Sequence, residues 1–168
     1  EEHGIALQDM EERCDQLAQQ GKTPLYFAGD GKLLGVIAVA DVIKKTSPAA
    51  IRALKQMGIQ VVMLTGDNRR TAEAIRSQLE IDQAIAEVLP QDKERHVRQL
   101  QEEGHKVAMV GDGINDAPAL TRADVGMAIG AGTDIAMESA DVVLMKRDLM
   151  DAVTAIQLSH AVIRNIKQ

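Results

Sequence analysis

The chain has 168 residues, is 45% hydrophobic and carries a formal net charge of -6 at pH 7. This length suffices for one globular core, which aliphatic side chains must fill because the sequence holds one Phe, one Tyr and no Trp. The interspersed charges argue against a nucleic-acid partner, and the single cysteine, Cys14, excludes an intrachain disulfide or a Cys-x-x-Cys metal site. The sequence has neither a long apolar run nor a signal peptide, so we expect a soluble chain in a reducing, cytosolic setting.

The first forty residues predict a helix followed by a hairpin. Apolar residues at helical spacing predict a short amphipathic helix over 5–20, with Gly21 as its stop. The runs TPLYFA and LLGVIAVA flank a Gly-Asp-Gly tip at 29–31, which is a typical hairpin signal.

Strands and helices alternate after residue 46. Ser47 is predicted to cap a helix that contains Pro48 and closes at Gly58. Apolar strand-like runs cover 59–65, 106–112, 124–130 and 140–145, and helical patterns cover 69–79, 91–103 and 148–168. This order predicts a doubly wound α/β fold, with a mostly parallel sheet covered by helices on both faces. Functional groups in such folds gather at the carboxyl ends of the strands.

Two carboxylates follow the run that ends at residue 112. Asp112 lies between two glycines, and Asp116 lies four residues later, at a spacing that can bring both to one side of a helix. Two hard oxygen donors beside small residues suit Mg²⁺ holding a phosphoryl group. The alternative is that Asp112 caps a helix and Asp116 is solvated.

The run 59–65 leads into Thr65-Gly66-Asp67, where the hydroxyl and the backbone amides could donate to phosphoryl oxygens. The alternative is an ordinary helix cap by Asp67. Lys93 lies one turn into a helix entered at Pro90, where a cation is unfavourable for the helix dipole. It could offset the charge of a transferring phosphoryl group, or it could be a solvated surface lysine.

Three segments resemble, in order and spacing, the second, third and fourth motifs of the haloacid-dehalogenase superfamily in its P-type ATPase form: TGD at 65–67, LPxxK at 89–93 and VGDGINDAPAL at 110–120. The segments 123–130, 132–136 and 140–144 resemble the heavy-metal branch, and in particular its copper exporters. Residues 38–44 resemble the segment that re-enters the phosphorylation domain, with Val42 where the family usually has proline.

The resemblance implies roles for particular residues. Asp112 and Asp116 would hold Mg²⁺, and the set Thr65, Gly66, Asp67, Lys93 and Asn115 would be catalytic. Asp41, together with Thr65, Gly66, Asp67 and Lys93, would contact ATP. The implied domains are the end of a nucleotide-binding domain (1–37, a helix and a hairpin), the phosphorylation domain (38–147) and the start of a stalk helix (148–168).

The implied activity of the parent protein is ATP-driven export of a heavy-metal cation through an aspartyl phosphate, at the cytoplasmic face of the cell membrane. Cu⁺ is the favoured ion, with Ag⁺, Zn²⁺ and Cd²⁺ open. The implied partners are the nucleotide-binding, actuator and membrane domains. The family's nucleophile, the first aspartate of a DKTGT segment, does not occur in these residues, so its strand would leave a gap in the sheet and the chain would be inactive by itself. Asp30, at the hairpin tip, is a poor substitute.

Two other functions remain open. A soluble phosphatase of the same superfamily would need its nucleophile strand from elsewhere. A regulatory or binding module would keep the fold without phosphoryl transfer.

Overall fold

A computed structural model describes residues 10–20, 22–39, 42–112, 114–130 and 138–167. The chain divides into two compact units, one formed by 1–43 with 62–87 and the other by 44–61 with 88–168. The helices are α1 (Met10–Gln19), α2 (Ser47–Gln56), α3 (Arg69–Leu79), α4 (Lys93–Glu102), α5 (Ala117–Arg122) and α6 (Leu149–Ile166). The strands are β1 (Thr23–Gly29), β2 (Lys32–Val39), β3 (Val62–Leu64), β4 (Gln83–Ile85), β5 (Ala108–Gly111), β6 (Val125–Ile129) and β7 (Val142–Leu144).

The predicted hairpin of the first unit is confirmed. β1 pairs antiparallel with β2, from Thr23 opposite Val39 to Gly29 opposite Lys32. Asp30 and Gly31 have φ values of 50° and 72°, so both turn residues are left-handed, as the common two-residue hairpin turn requires. The hairpin leaves large apolar side chains exposed, namely Leu25, Phe27, Leu34 and Ile37.

A parallel pair of strands completes the first unit. β3 pairs with β4 from Val62 opposite Gln83 to Leu64 opposite Ile85. Between them lies α3, whose first turn is capped by the Asn68 side chain, which accepts the Thr71 N–H at 2.9 Å. Helix 69–79 is therefore confirmed, whereas the predicted run 59–65 is a strand only at 62–64.

In the second unit, α2 packs against α6. Ala50, Leu54 and Val153 form its buried cluster, and Met57 packs against that cluster. The prediction that Ser47 caps α2 is wrong, because Ser47 is the first helical residue and Thr46 occupies the cap position. Thr46 makes no capping bond, since its hydroxyl donates to the carboxylate of Asp148 at 3.0 and 3.1 Å.

The same unit contains α4, α5 and a three-stranded parallel sheet, ordered β5-β6-β7, with Gly111 opposite Ala128 and Ile129 opposite Leu144. α5 reaches β6 closely at Gly126, where a Cβ atom would lie 2.6 Å from the Leu120 carbonyl oxygen. The predicted α/β class is confirmed, and its parallel strands form two sheets, one in each unit. Within the described ranges, no helix is both long and apolar enough to span a bilayer.

Candidate functional site

Polar residues follow β5 at its carboxyl end. Gly111 ends the strand, Asp112 is exposed just beyond it, and a 3-10 turn over Ile114–Asp116 leads into α5. Gly111 has no room for a side chain, because a Cβ atom there would lie 2.7 Å from the Cβ of Asp116. The glycine therefore lets Asp116 fold back against the strand end.

Asp116 is buried, with 6% of its surface exposed, and is paired with Lys93. The Lys93 ammonium donates to Asp116 Oδ1 at 2.6 Å, and the Asp112 N–H donates to Asp116 Oδ2 at 3.3 Å. A buried carboxylate needs such partners, because desolvation of an unpaired charge is very costly. The alternatives of a solvated Lys93 and a solvated Asp116 are therefore wrong. Asp112 and Asp116 are also unequal, since only the second is buried.

α4 carries Lys93 as its first residue, after a 3-10 turn at Pro90–Asp92. The helix packs against α5, and Val97 of α4 is 1% exposed. At its far end, the Gln101 side-chain amide donates to the Arg122 carbonyl at 3.2 Å and to Asp124 at 3.0 Å. α4 is thus tied to the α5–β6 segment at both ends, which fixes the starting point of the lysine side chain.

Asp124 is the centre of that second attachment. Its carboxylate accepts from the Lys106 ammonium at 2.8 Å, from the Val107 N–H at 3.0 Å and from Gln101. The Lys106 hydrogen bond, followed by those of Val107 and Gln101, lowers the pKa of Asp124 far below its usual range. Asp124 therefore stays ionised and keeps α4, β5 and the approach to β6 connected.

Thr65 and Asp67, in the first unit, are bonded to each other. The Thr65 hydroxyl donates to Asp67 Oδ2 at 2.8 Å and accepts the Asp67 N–H at 3.1 Å. The Asp67 carbonyl accepts the Glu87 N–H at 2.9 Å. Two of the donors predicted to face a phosphoryl group are thus engaged internally, and Gly66 is exposed between them. The helix cap is Asn68, so the alternative of a cap by Asp67 is wrong.

The structure brings Lys93, Asp112 and Asp116 together within the second unit. Asn115 is exposed in the 3-10 turn of the same unit, whereas Thr65, Gly66 and Asp67 belong to the other unit. Asp41 lies outside the described residues. That all of these residues serve one site remains a prediction.

The donor set at the end of β5 fits Mg²⁺ better than a transition metal. In the part of the chain that the structure describes, no three His, Cys, Asp or Glu side chains converge on one metal position. A closed zinc site needs four protein ligands. Mg²⁺, by contrast, is commonly bound by one or two carboxylates together with water and phosphate oxygens. Asp112 and Asp116 supply that number.

A groove between α1, β1 and α3 was not predicted from the sequence. It measures about 780 Å³, and the Arg70 guanidinium pairs there with Asp15 of α1. Cys14 is buried in it, and its hydrogen bond with Tyr26 raises the pKa of the tyrosine to about 12. Arg70 and Asp15 are 55 positions apart, so no local pattern could have revealed this contact.

Comparison with known proteins agrees with the motifs. Residues 1–124 match the haloacid dehalogenase-like hydrolase family. The chain belongs to this family. Among relatives of this haloacid dehalogenase-like chain, copper-transporting ATPase 1 of Rhizobium meliloti is 59% identical over 98% of the chain and 20% of its own length. A silver exporting P-type ATPase of Salmonella typhimurium is 49% identical over 100% of the chain and 20% of its own length.

A solved structure of a zinc-transporting PIB-type ATPase in the E2P state superposes with a TM-score of 0.79. It is 38% identical to this haloacid dehalogenase-like chain over 97% of the chain and 27% of its own length. The predicted resemblance to P-type ATPases is therefore confirmed. The chain spans about a fifth of the length of the curated relatives that it matches.

Proposed function

We propose that this chain is the phosphorylation-domain portion of an ATP-driven exporter of a soft metal ion, with Cu⁺ as the first choice. The observation that carries the proposal is the part-buried contact of 2.6 Å between Lys93 and Asp116 at the carboxyl end of β5. The copper-transporting relative at 59% identity supports the choice of ion. The silver and zinc relatives keep Ag⁺ and Zn²⁺ as competitors in the test.

In this proposal Lys93 supplies positive charge to the phosphoryl oxygens, and Asp116 holds its ammonium near the strand end. Asp112 and Asp116 would hold Mg²⁺, which when bound neutralises phosphoryl charge. The phosphoryl group would also accept hydrogen bonds from Thr65, Gly66 and Asp67, once the hydrogen bonds between Thr65 and Asp67 are broken. Asn115 and Asp41 complete the proposed set that contacts ATP and the phosphoryl group.

The attacking carboxylate would come from a DKTGT segment outside these 168 residues. The parent protein would use ATP, form an aspartyl phosphate and move the metal ion through membrane helices, with this portion at the cytoplasmic face. The α6 helix would connect it to those membrane helices, so that phosphorylation changes their arrangement.

The test is metal-stimulated phosphoenzyme formation by the full-length parent. We expect Cu⁺ to stimulate ATP hydrolysis more than Ag⁺ or Zn²⁺, and Lys93→Ala or Asp112→Asn to lower kcat by about 100-fold or more, the size expected for a charged group acting on the transition state. Lys106→Ala is the matched control, because Lys106 also pairs with a carboxylate, Asp124, but does so away from this strand end.

Equal loss in Lys106→Ala and Lys93→Ala would contradict the assigned role of Lys93. If only Zn²⁺ stimulated ATP hydrolysis, the transported ion would be Zn²⁺ instead of Cu⁺, and the proposed reaction would stand. Turnover of p-nitrophenyl phosphate by the 168-residue chain would favour a soluble phosphatase instead.

A further inference from the structure

Two pairs of cations immediately precede α2 and α6 in the sequence and form what we call the basic patch: Lys44, Lys45, Lys146 and Arg147. The two pairs are about a hundred residues apart in sequence. They are joined by the Thr46 hydroxyl, which donates to both carboxylate oxygens of Asp148 at 3.0 and 3.1 Å. Lys44 and Lys146 are close enough to Asp148 to contribute to the lowering of its pKa.

The cations of the basic patch have no carboxylate partner among the residues that the structure describes. All four side chains are exposed, and none forms an ion pair with any residue that the structure describes. Lys93 and Lys106 of the same unit, by contrast, each have a carboxylate partner. Two exposed lysines, Lys44 and Lys146, near one carboxylate also stand out on a chain with a net charge of -6.

Local stability does not account for these positions. Both pairs lie just before the first residues of α2 and α6, where the helix dipole disfavours positive charge. Arg147 is also fixed in place, because its side chain lies across Gly130, where a Cβ atom would be 2.0 Å from the Arg147 Cγ. Gly130 has a φ of 69°, which suits glycine and leaves that space open.

We infer that the basic patch is a docking surface for a carboxylate-rich segment of the same polypeptide outside these 168 residues. The inference rests on the proposed function, in which the chain is part of a longer protein; the relatives are about five times its length, so most of each relative lies outside the matched region. Opposite charges at a contact of this kind direct the partner and fix its orientation.

Other anionic partners fit less well. A nucleic acid would meet an acidic chain with only four clustered cations. A lipid surface would be met first by the exposed apolar residues of α6, Leu158, Val162 and Ile166. Those residues lie in the second half of an 18-residue helix, which is about 27 Å long at 1.5 Å per residue, whereas the basic patch adjoins its first residue.

The test is carbodiimide cross-linking of the full-length parent, followed by mass spectrometry, because this reagent joins lysine amines to nearby carboxylates. We expect cross-links from Lys44, Lys45 or Lys146 to Asp or Glu residues of the same polypeptide outside this chain. Their yield should fall several-fold as salt is raised from 0.05 to about 0.5 M, since exposed charges are screened. The Lys106–Asp124 pair, at 2.8 Å, is the internal control for folding and reagent activity.

Two variants sharpen the test at Lys146. Lys146→Glu should abolish the intramolecular cross-links from the whole basic patch, whereas Lys146→Arg should remove only its own and leave those of Lys44 and Lys45. Lys32→Glu reverses the charge of a lysine in the exposed hairpin and is the matched control, so it should leave the yield of cross-links from the basic patch unchanged.

Three results would overturn the inference. The first is that the Lys106–Asp124 cross-link forms while none forms from the basic patch, and the second is that the basic patch cross-links only to other protein molecules. The third is that DNA or anionic vesicles lower the yield of these cross-links more strongly than salt does. None of these readouts depends on ATP hydrolysis, so failure here is separate from failure of the proposed pump activity.

Discussion

At the scale of single residues, the contact between Lys93 and Asp116 is the most specific feature of this chain. The Asp116 side chain is buried and that of Lys93 is half-buried, so the carboxylate depends on the ammonium and on the Asp112 N–H to replace the water that it has lost. Removing one partner would leave an uncompensated charge. The pair is therefore kept in place by its own energetics before any ligand arrives.

A substitution at Gly111 tests how tightly the end of β5 packs against Asp116. Gly111→Ala would place a methyl group 2.7 Å from Asp116 Cβ and 2.8 Å from its Oδ2. We expect a loss of about 1–3 kcal/mol in stability from overpacking. The melting temperature of the 168-residue chain measures it.

Gly35→Ala is the matched control for that substitution. Nothing lies within 4 Å of a Cβ atom at Gly35, so we expect a change within about ±0.5 kcal/mol. A Gly111→Ala chain as stable as Gly35→Ala would show that Asp116 moves away freely, contrary to the tight packing described above.

Several site residues could be predicted from the sequence, because functional groups in α/β folds gather at the carboxyl ends of the strands. Lys93, Asp112 and Asp116 were expected from their residue types and spacing, and the structure brings them together. It could not predict that Thr65 and Asp67 bond to each other. A hydroxyl and a carboxylate two residues apart have several partners available, and only the local backbone decides among them.

At the scale of elements, the contact between Thr46 and Asp148 connects two helix starts. Asp148 caps α6 by accepting the Met150 N–H at 2.9 Å, and it also accepts the hydroxyl that precedes α2. One carboxylate thus serves both helices. The prediction that Ser47 caps α2 considered only neighbours in sequence. The residue at the cap position is Thr46, and its hydroxyl bonds to Asp148, which lies 102 positions away.

Asp148 predicts a dependence of stability on pH. The Met150 N–H, then the Thr46 hydroxyl, lower the pKa of Asp148 below its usual value. A carboxylate with a lowered pKa stabilises the fold above about pH 4, the unfolded value, and the contribution disappears as pH falls through the folded value. Asp148→Asn should therefore lower the melting temperature at pH 7.

The difference between Asp148→Asn and the natural chain should shrink steadily below pH 4, as followed by melting temperatures from pH 7 to pH 2. Thr46→Val should reproduce part of the effect by removing one hydrogen bond. A difference that stays constant down to pH 2 would mean that ionisation of Asp148 contributes nothing.

Secondary structure could not be predicted where a segment was too short to show a periodic pattern of apolar residues. β4 has three residues, Gln-Ala-Ile, and no pattern of period two can be recognised in three positions. The hairpin, by contrast, was predictable because Asp30-Gly31 satisfies a turn with a strict backbone requirement.

At the scale of the whole molecule, the parallel strands that the structure describes pair within each compact unit separately. Among the described residues, β3 pairs only with β4, and β5 pairs only with β6. The sequence predicted the α/β class and a missing strand from its motifs. The division into two compact units joins stretches that are distant along the chain, so no local composition could reveal it.

The missing nucleophile gives a prediction for the whole chain. Because the 168 residues contain no DKTGT segment, the purified chain should take up no acid-stable phosphate from ATP, while the full-length parent should form a hydroxylamine-sensitive phosphoenzyme. Labelling with radioactive ATP and acid gels measures both. Hydroxylamine-sensitive label on the short chain that disappears in Asp30→Asn would instead identify the hairpin tip as the acceptor.

The division of α6 into two halves has a mechanical consequence. Val153 and its neighbours hold the first half against α2, while the second half exposes Leu158, Val162 and Ile166. The free second half of this 18-residue helix is a lever arm of about 14 Å, at 1.5 Å per residue. By that same geometry, a tilt of about 10° at the middle of the helix displaces its far end by roughly 2 Å. Small rearrangements at Thr46 and Asp148 are therefore amplified at Ile166.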